Sequence, residues 1–245
     1  MKQHPLFIRA MSIRRDHPSA AFDRYPFTVP VVRNLDEIVF DTQVTFLIGE
    51  NGSGKSTLIE SLALSCGFKA EGGSKHLEYE TALDESELHE ILRVVRGPKR
   101  PSDGYFLRAE SFFNVATEID RRELASYYGG KSLHRMSHGG SFFTLLTERL
   151  LGGGLYIFDE PEAALSPTRQ MAMLTRMHEL VLDASQLIIA THSPILMAYP
   201  GATIYEIADG ALRRVEYEQT EHFTVTRQFF LQRERMLKIL LGGAE

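Results

Sequence analysis

Nine consecutive residues, Gly49-Glu50-Asn51-Gly52-Ser53-Gly54-Lys55-Ser56-Thr57, fit the spacing G-x-x-x-x-G-K-[ST], whose chemistry is the cradling of phosphate. Glycines let the backbone curl so that successive N–H groups point inward, and a helix N-terminus adds favourable potential for anionic oxygens. Lys55 is then placed to reach the β- and γ-phosphates, Ser56 to ligate Mg²⁺ and Thr57 to contact the inner phosphates. No N-K-x-D occurs in the chain, which argues against guanine recognition. Two adjacent acids, Asp159 and Glu160, close the apolar run LYIFD. Consecutive residues at a strand end point to different sides, so Asp159 is expected to hold the metal. Glu160 is then expected to polarise water as a general base, a role worth roughly 10²–10⁴ in rate. His192 follows the apolar run QLIIAT within ATHSP and is expected to sense the γ-phosphate or the attacking water. Lys55, Glu160 and His192 are thus the candidate catalytic residues. A fourth stretch, MSHGGS (136–141), has the Ser and Gly of a helix cap and lies about 80 residues after Lys55.

These groups need a scaffold that carries them to one place. VTFLI (44–48), LYIFD (155–159) and QLIIAT (186–191) are short runs apolar on both faces, as parallel strands buried between helices are. Helices are expected from about 56 to 65, with Gly67 as its terminal cap, and from 166 to 182. A third is expected over 84–96, acidic at its start and basic at its end as the helix dipole favours. The stretch 111–151 reads as mainly helical, and KAEGGSK as a loop. LFIRAMSI (6–13) and FTVPVV (27–32) read as strands, the second broken or at an edge because of Pro30. The tail TRQFFLQRERMLKILL reads as an amphipathic helix that packs on its own domain or docks another protein. The order implies a single α/β domain, a mostly parallel sheet flanked by helices with an inserted helical lobe. Its approximate parts are a β-rich lobe (1–43), the glycine-loop core (44–80), a helical lobe (81–150) and a core segment with the acidic strand, the histidine and a C-terminal helix (151–245).

Bulk composition narrows the partners. The 245 residues carry 27 Lys and Arg against 32 Asp and Glu, a net charge of −5, so no overall positive field draws the chain to nucleic acid or an anionic membrane. Nucleic acid is therefore unsupported as a partner. No segment reaches the roughly 18 apolar residues of a spanning helix and the start lacks a leader's pattern, so no membrane insertion and a soluble, cytoplasmic protein are expected. The one cysteine, Cys66, cannot form an internal disulfide and is expected as a buried filler.

Taken in order, the glycine loop, MSHGGS, the acidic strand, EAALSP and the histidine resemble the ABC-type ATPases over nearly the whole chain, with DEPEAALSP and THSP closest to the soluble SMC-like or RecF-like group. The resemblance puts MSHGGS in the place of that family's signature motif and implies an ATP-dependent head-to-tail homodimer, in which the signature of one copy closes over ATP on the loop of the other. Ser137 and Gly139 would donate to the γ-phosphate in trans, through a hydroxyl and a backbone N–H. ATP would then hold the dimer shut, hydrolysis would release it, and the cycle would gate an unidentified protein partner. It also implies an aromatic residue against adenine, for which Tyr25 is the candidate. Departures from the family pattern are His138 for the first signature glycine, Gly140 for glutamine and Ser166 for an aspartate. The coupling glutamine is missing, with Arg108 or Glu110 nearest its place. The competing expectations are a transporter's ATP-binding subunit, a small-molecule kinase and a switch that barely hydrolyses.

Overall fold

The computed structural model describes residues 4–75, 77 and 87–242, the side chain of His138 excepted. In chain order the elements are β1 (Ile8–Ile13), α1 (Pro30–Asn34), β2 (Glu37–Val39), β3 (Val44–Gly49), α2 (Lys55–Ser65), α3 (Leu88–Ile91), β4 (Leu92–Arg96), β5 (Asp103–Arg108) and α4 (Phe112–Arg121). They continue with α5 (His138–Thr144), β6 (Gly154–Asp159), α6 (Pro167–Leu182), β7 (Gln186–Ala190), β8 (Thr203–Ala208), β9 (Ala211–Val215), α7 (Glu221–Leu231) and α8 (Arg233–Leu240). Six strands form the main sheet in the order β5-β6-β7-β3-β8-β9, parallel except for β9. A second sheet, β2-β1-β4, is antiparallel throughout.

The main sheet has a core on each face, which is why its strands are apolar without alternation. Val44, Phe46, Ile48, Tyr156 and Phe158 face a core shared with α4, α5 and α6, whereas Leu47, Leu155, Ile157 and Ile188 face α2 and the small sheet. Gln186 ties the two sheets together from inside. Its Oε1 accepts the N–H groups of Phe7 and Ile8 at 2.9 Å each, and its Nε2 donates to the carbonyl of Ile8 at 2.8 Å.

The three apolar runs are the central strands expected of them, the helix after the glycine loop starts one residue early, and Gly67 closes its end with a positive φ of 87°. Three local expectations fail. FTVPVV is not a strand: Pro30 opens the short helix α1, where its missing N–H and fixed φ cost nothing. The expected helix over 84–96 is helical from Leu88 to Ile91 and then becomes β4, since Val94 and Val95 are β-branched and β1 offers an unpaired edge; residues 84–86 lie outside the described ones. The tail is two helices broken at Gln232, and Phe230, Leu231, Ile239, Leu240 and Leu241 are all exposed rather than packed on the domain. β2, β5, β8 and β9 have no counterpart among the expected strands. With β4 and β5 drawn into the sheets, the helical part begins at Phe112.

Candidate nucleotide site

β3 is buried along its whole length and ends at Gly49, so residues 50–54 emerge at the C-terminal edge of the sheet and turn directly into α2. Gly54 caps that helix with φ of 99°, and a Cβ there would come within 2.6–2.8 Å of Val31 and Val29. Conformation and space both require glycine. Lys55, 3% exposed, donates from Nζ to the carbonyls of Gly49 and Glu50 at 2.9 Å each. The third donor of its ammonium can serve a ligand inside the loop. Burial lowers the Lys55 pKa, and the charges of Glu160, Asp159 and Glu162 oppose that shift.

Ser56 and Asp159 are 103 residues apart in sequence, yet the Ser56 hydroxyl donates to Asp159 Oδ1 at 3.1 Å. Cis oxygens around an octahedral Mg²⁺ at 2.0–2.1 Å stand about 2.9 Å apart, so this pair fits two neighbouring positions of such an ion. Among the described residues no three His, Cys, Asp or Glu could hold a metal by themselves. An ion here would complete its shell with phosphate and water oxygens. Burial pushes the Asp159 carboxyl up to about 6, opposed by Arg108 and the Ser56 bond. Arg108, the last residue of β5, places Nε 3.7 Å from Asp159 Oδ2 and pairs with Glu60 at 2.8 Å. A cavity of about 400 Å³ beside the pair is lined by Ser56, Ala109, Glu110, Asp159, Glu160 and Ala163. Of the two residues nearest the missing glutamine, Glu110 lines this cavity and Arg108 backs the carboxylate.

Glu160 follows β6 directly in a left-handed conformation, φ 50° and ψ 52°, which a side chain with a Cβ rarely adopts. Its N–H donates to Ala190 on β7 at 3.0 Å, which holds it in place. Such strain is held by surrounding structure and clusters at functional sites. The carboxylate is 40% exposed, with Oε1 3.4 Å from Nε2 of His192. His192 lies two residues past β7; its N–H donates to Glu162 Oε1 at 2.5 Å and its Nδ1 is 3.3 Å from Nε2 of His222. Burial and Lys55 lower the His192 pKa, while Glu160 opposes them. Neither Glu162 nor His222 is singled out by sequence: Glu162 carries no spacing signal, and His222 comes from α7, an element whose approach to the loop no local pattern announces.

Ser137 caps α5, its Oγ accepting the N–H of Gly140 at 3.2 Å. A Cβ on Gly139 would meet the carbonyl oxygen of Ala164 at 2.7 Å and the Arg169 guanidinium at 2.6 Å, so close helix approach demands glycine here. The signature stretch therefore packs on the segment after β6 and the start of α6, which Ser166 caps by accepting the Arg169 N–H at 3.4 Å. Tyr25 is 71% exposed, on the segment that leads into α1. The structure thus brings Lys55, Ser56, Asp159, Glu160 and His192 to one edge of the sheet and keeps Ser137 and Gly139 in the helical lobe.

Such a fold and site define a P-loop nucleotide-binding protein. A family described as "AAA domain" matches residues 26–124, and one described as "AAA domain, putative AbiEii toxin, Type IV TA system" matches residues 140–198. The energy-coupling factor transporter ATP-binding protein EcfA1 of Fusobacterium nucleatum is 30% identical over 181 residues, which cover 66% of this chain and 68% of that protein. The chain belongs to the ABC-type P-loop ATPase family. The macrolide export ATP-binding/permease protein MacB of Hahella chejuensis is 26% identical over 211 residues, 75% of this chain and 31% of that protein. The chain thus spans about a third of the length of the export proteins it matches. Among solved structures, the SMC head domain from Thermotoga maritima aligns with a TM-score of 0.44 at 15% identity, covering 86% of this chain and 100% of that one. No helix among the described residues is long and apolar enough to cross a membrane.

Proposed function

We propose that the chain binds and hydrolyses Mg-ATP and that two copies close head to tail around it, acting as a nucleotide-controlled gate on a protein partner. The observation that carries this reading is the convergence, within one sheet edge, of a phosphate-loop lysine, the Ser56–Asp159 pair and the Glu160–His192 pair. In that arrangement the loop N–H groups and Lys55 bind the triphosphate. Ser56 and Asp159 hold Mg²⁺, which neutralises charge that develops on the phosphoryl oxygens. Glu160 accepts a proton from the attacking water, and His192 donates toward the terminal phosphate. Ser137 and Gly139, which sit on the helical lobe, are left to serve a neighbouring copy. Tyr25 is the proposed stacking partner of adenine; its exposure leaves the ring face open to a ligand.

A dimer of this kind is stable only while contacts to the third phosphate exist, because a ligand shifts an equilibrium by its differential contacts with the two states. Glu160→Gln is therefore expected to slow hydrolysis by roughly 10²–10⁴ and to trap an ATP-bound dimer. Mass measured by light scattering with and without Mg-ATP checks this. A monomer in both conditions would sink the gate.

The name of EcfA1, a transporter's ATP-binding protein, favours a second reading, an ATP-binding subunit that docks on a separate membrane protein. Recovery of the chain in stoichiometric complex with a polytopic membrane protein would select it.

A further inference from the structure

The last helices enter the site in one place. α7 begins beside the glycine loop, and a groove there is lined by Glu50, Asn51, His192, Glu221, His222 and Val225 among others. His222, in the first turn of this 11-residue helix, presents Nε2 to Nδ1 of His192 at 3.3 Å. Its Nδ1 is sealed from solvent and has no hydrogen-bond partner, and the sealed Nε2 of His192 has Glu160 Oε1 at 3.4 Å, outside good hydrogen-bond geometry. The charged groups that bear on the two rings are Lys55, Glu160, Glu206 and Glu221. Burial and Lys55 hold both imidazoles toward the neutral form.

A neutral pair can share its one bond in two ways. If His192 donated from Nδ1, its Nε2 lone pair would face the Glu160 carboxylate and the buried Nδ1–H of His222 would be an orphan donor. If His222 donates from Nε2, the Nε2–H of His192 points at Glu160 and the unpartnered atom of His222 is a bare lone pair. The second arrangement avoids a repulsive contact and an orphaned buried N–H, the rarer kind of unsatisfied group.

We propose that His222 is a positioning residue: it fixes the tautomer and ring orientation of His192, so that Nε2–H of His192 is held on the side of Glu160 Oε1. This rests on the ATPase reading above and extends the site to an element from the end of the chain. A histidine's second nitrogen commonly sets the role of its first in this way.

Two variants of the full chain test it. His222→Phe keeps the ring volume and removes the donor, whereas His222→Gln keeps a donor near the position of Nε2. Nitrogen-15 spectra of the imidazoles, with His192 assigned by loss of its signals in His192→Gln, should show a single Nε2–H tautomer in the parent. His222→Phe should show a mixture, with kcat lower on the order of tenfold and KM for ATP within about threefold. His222→Gln should recover most of the loss in both readouts. An unchanged His192 spectrum in His222→Phe overturns the proposal, as does a fall in kcat that His222→Gln does not repair. Should the phenylalanine variant fail to fold, His222→Asn, too short to reach Nδ1, replaces it with the same outcomes. If the parent chain proves unable to hydrolyse ATP, the functional reading falls while the spectra still decide the role of His222.

Discussion

Cys66 shows at the scale of one residue how burial governs reactivity. It ends α2 beneath the small sheet, and burial pushes its thiol up to about 11, against the weaker opposing effects of Arg96 and Lys75. The thiolate is the nucleophile, so at pH 7.5 only a trace of reactive form exists in the folded chain. A thiol reagent is expected to label the native protein far more slowly than the denatured one at that pH. Equal rates in the two states would show that Cys66 is open to solvent. Among the candidate site residues, those in runs with a fixed spacing were legible one by one, because a phosphate loop needs particular residue types at particular offsets. Glu162 and His222 were not: Glu162 stands inside EAALSP, where no spacing assigns it a role, His222 lies outside every such run, and each acquires its neighbours from another element.

At the scale of elements, the helical part is pinned to the main sheet by a polar cluster at the start of β5. Asp103 accepts from Arg149 at 2.9 Å, from the Tyr156 hydroxyl at 2.8 Å and from the Leu151 N–H at 3.2 Å. Burial alone would raise the Asp103 pKa; these three bonds and the Arg149 charge outweigh it and hold the carboxyl below its ordinary 3.8. A depressed folded-state pKa means that the stabilisation is present above 3.8 and is lost as pH falls through the lower folded-state value. Asp103→Ala is expected to cost about 2–3 kcal/mol at neutral pH, because the half-buried Arg149 loses its carboxylate and the Tyr156 hydroxyl and Leu151 N–H lose their acceptor. The part of the acid unfolding slope due to this carboxyl should vanish with it. Denaturant titrations of both forms at neutral and acid pH check the two effects; a cost below about 1 kcal/mol would mean that solvent reaches the Arg149 charge.

For the whole molecule, binding of Mg-ATP to the folded state alone must raise stability by mass action. At ligand a hundredfold above Kd the gain is about 2.7 kcal/mol, which for a chain of this length corresponds to a rise in Tm of roughly 5–10 °C. Lys55→Ala should abolish most of that rise, and Asp159→Asn should abolish the part that needs Mg²⁺, both read by thermal unfolding with nucleotide and metal added separately. A rise that survives Lys55→Ala would place the nucleotide elsewhere.

The sequence by itself determined the three central strands, the helices after the glycine loop and after the acidic strand, and the phosphate-binding loop. Each of these is decided by contacts between residues close in the chain or by an apolar run long enough to bury a strand on both faces. Tertiary structure alone decided that Leu92–Arg96 is a strand, because its partner β1 lies some 80 residues away. It alone brought Ser56 against Asp159 across 103 residues, and His222 against His192 from the final helices. Local propensity carries no term for a neighbour that arrives only when the sheets close, which is why these relations are invisible in the run of letters and plain in the folded chain.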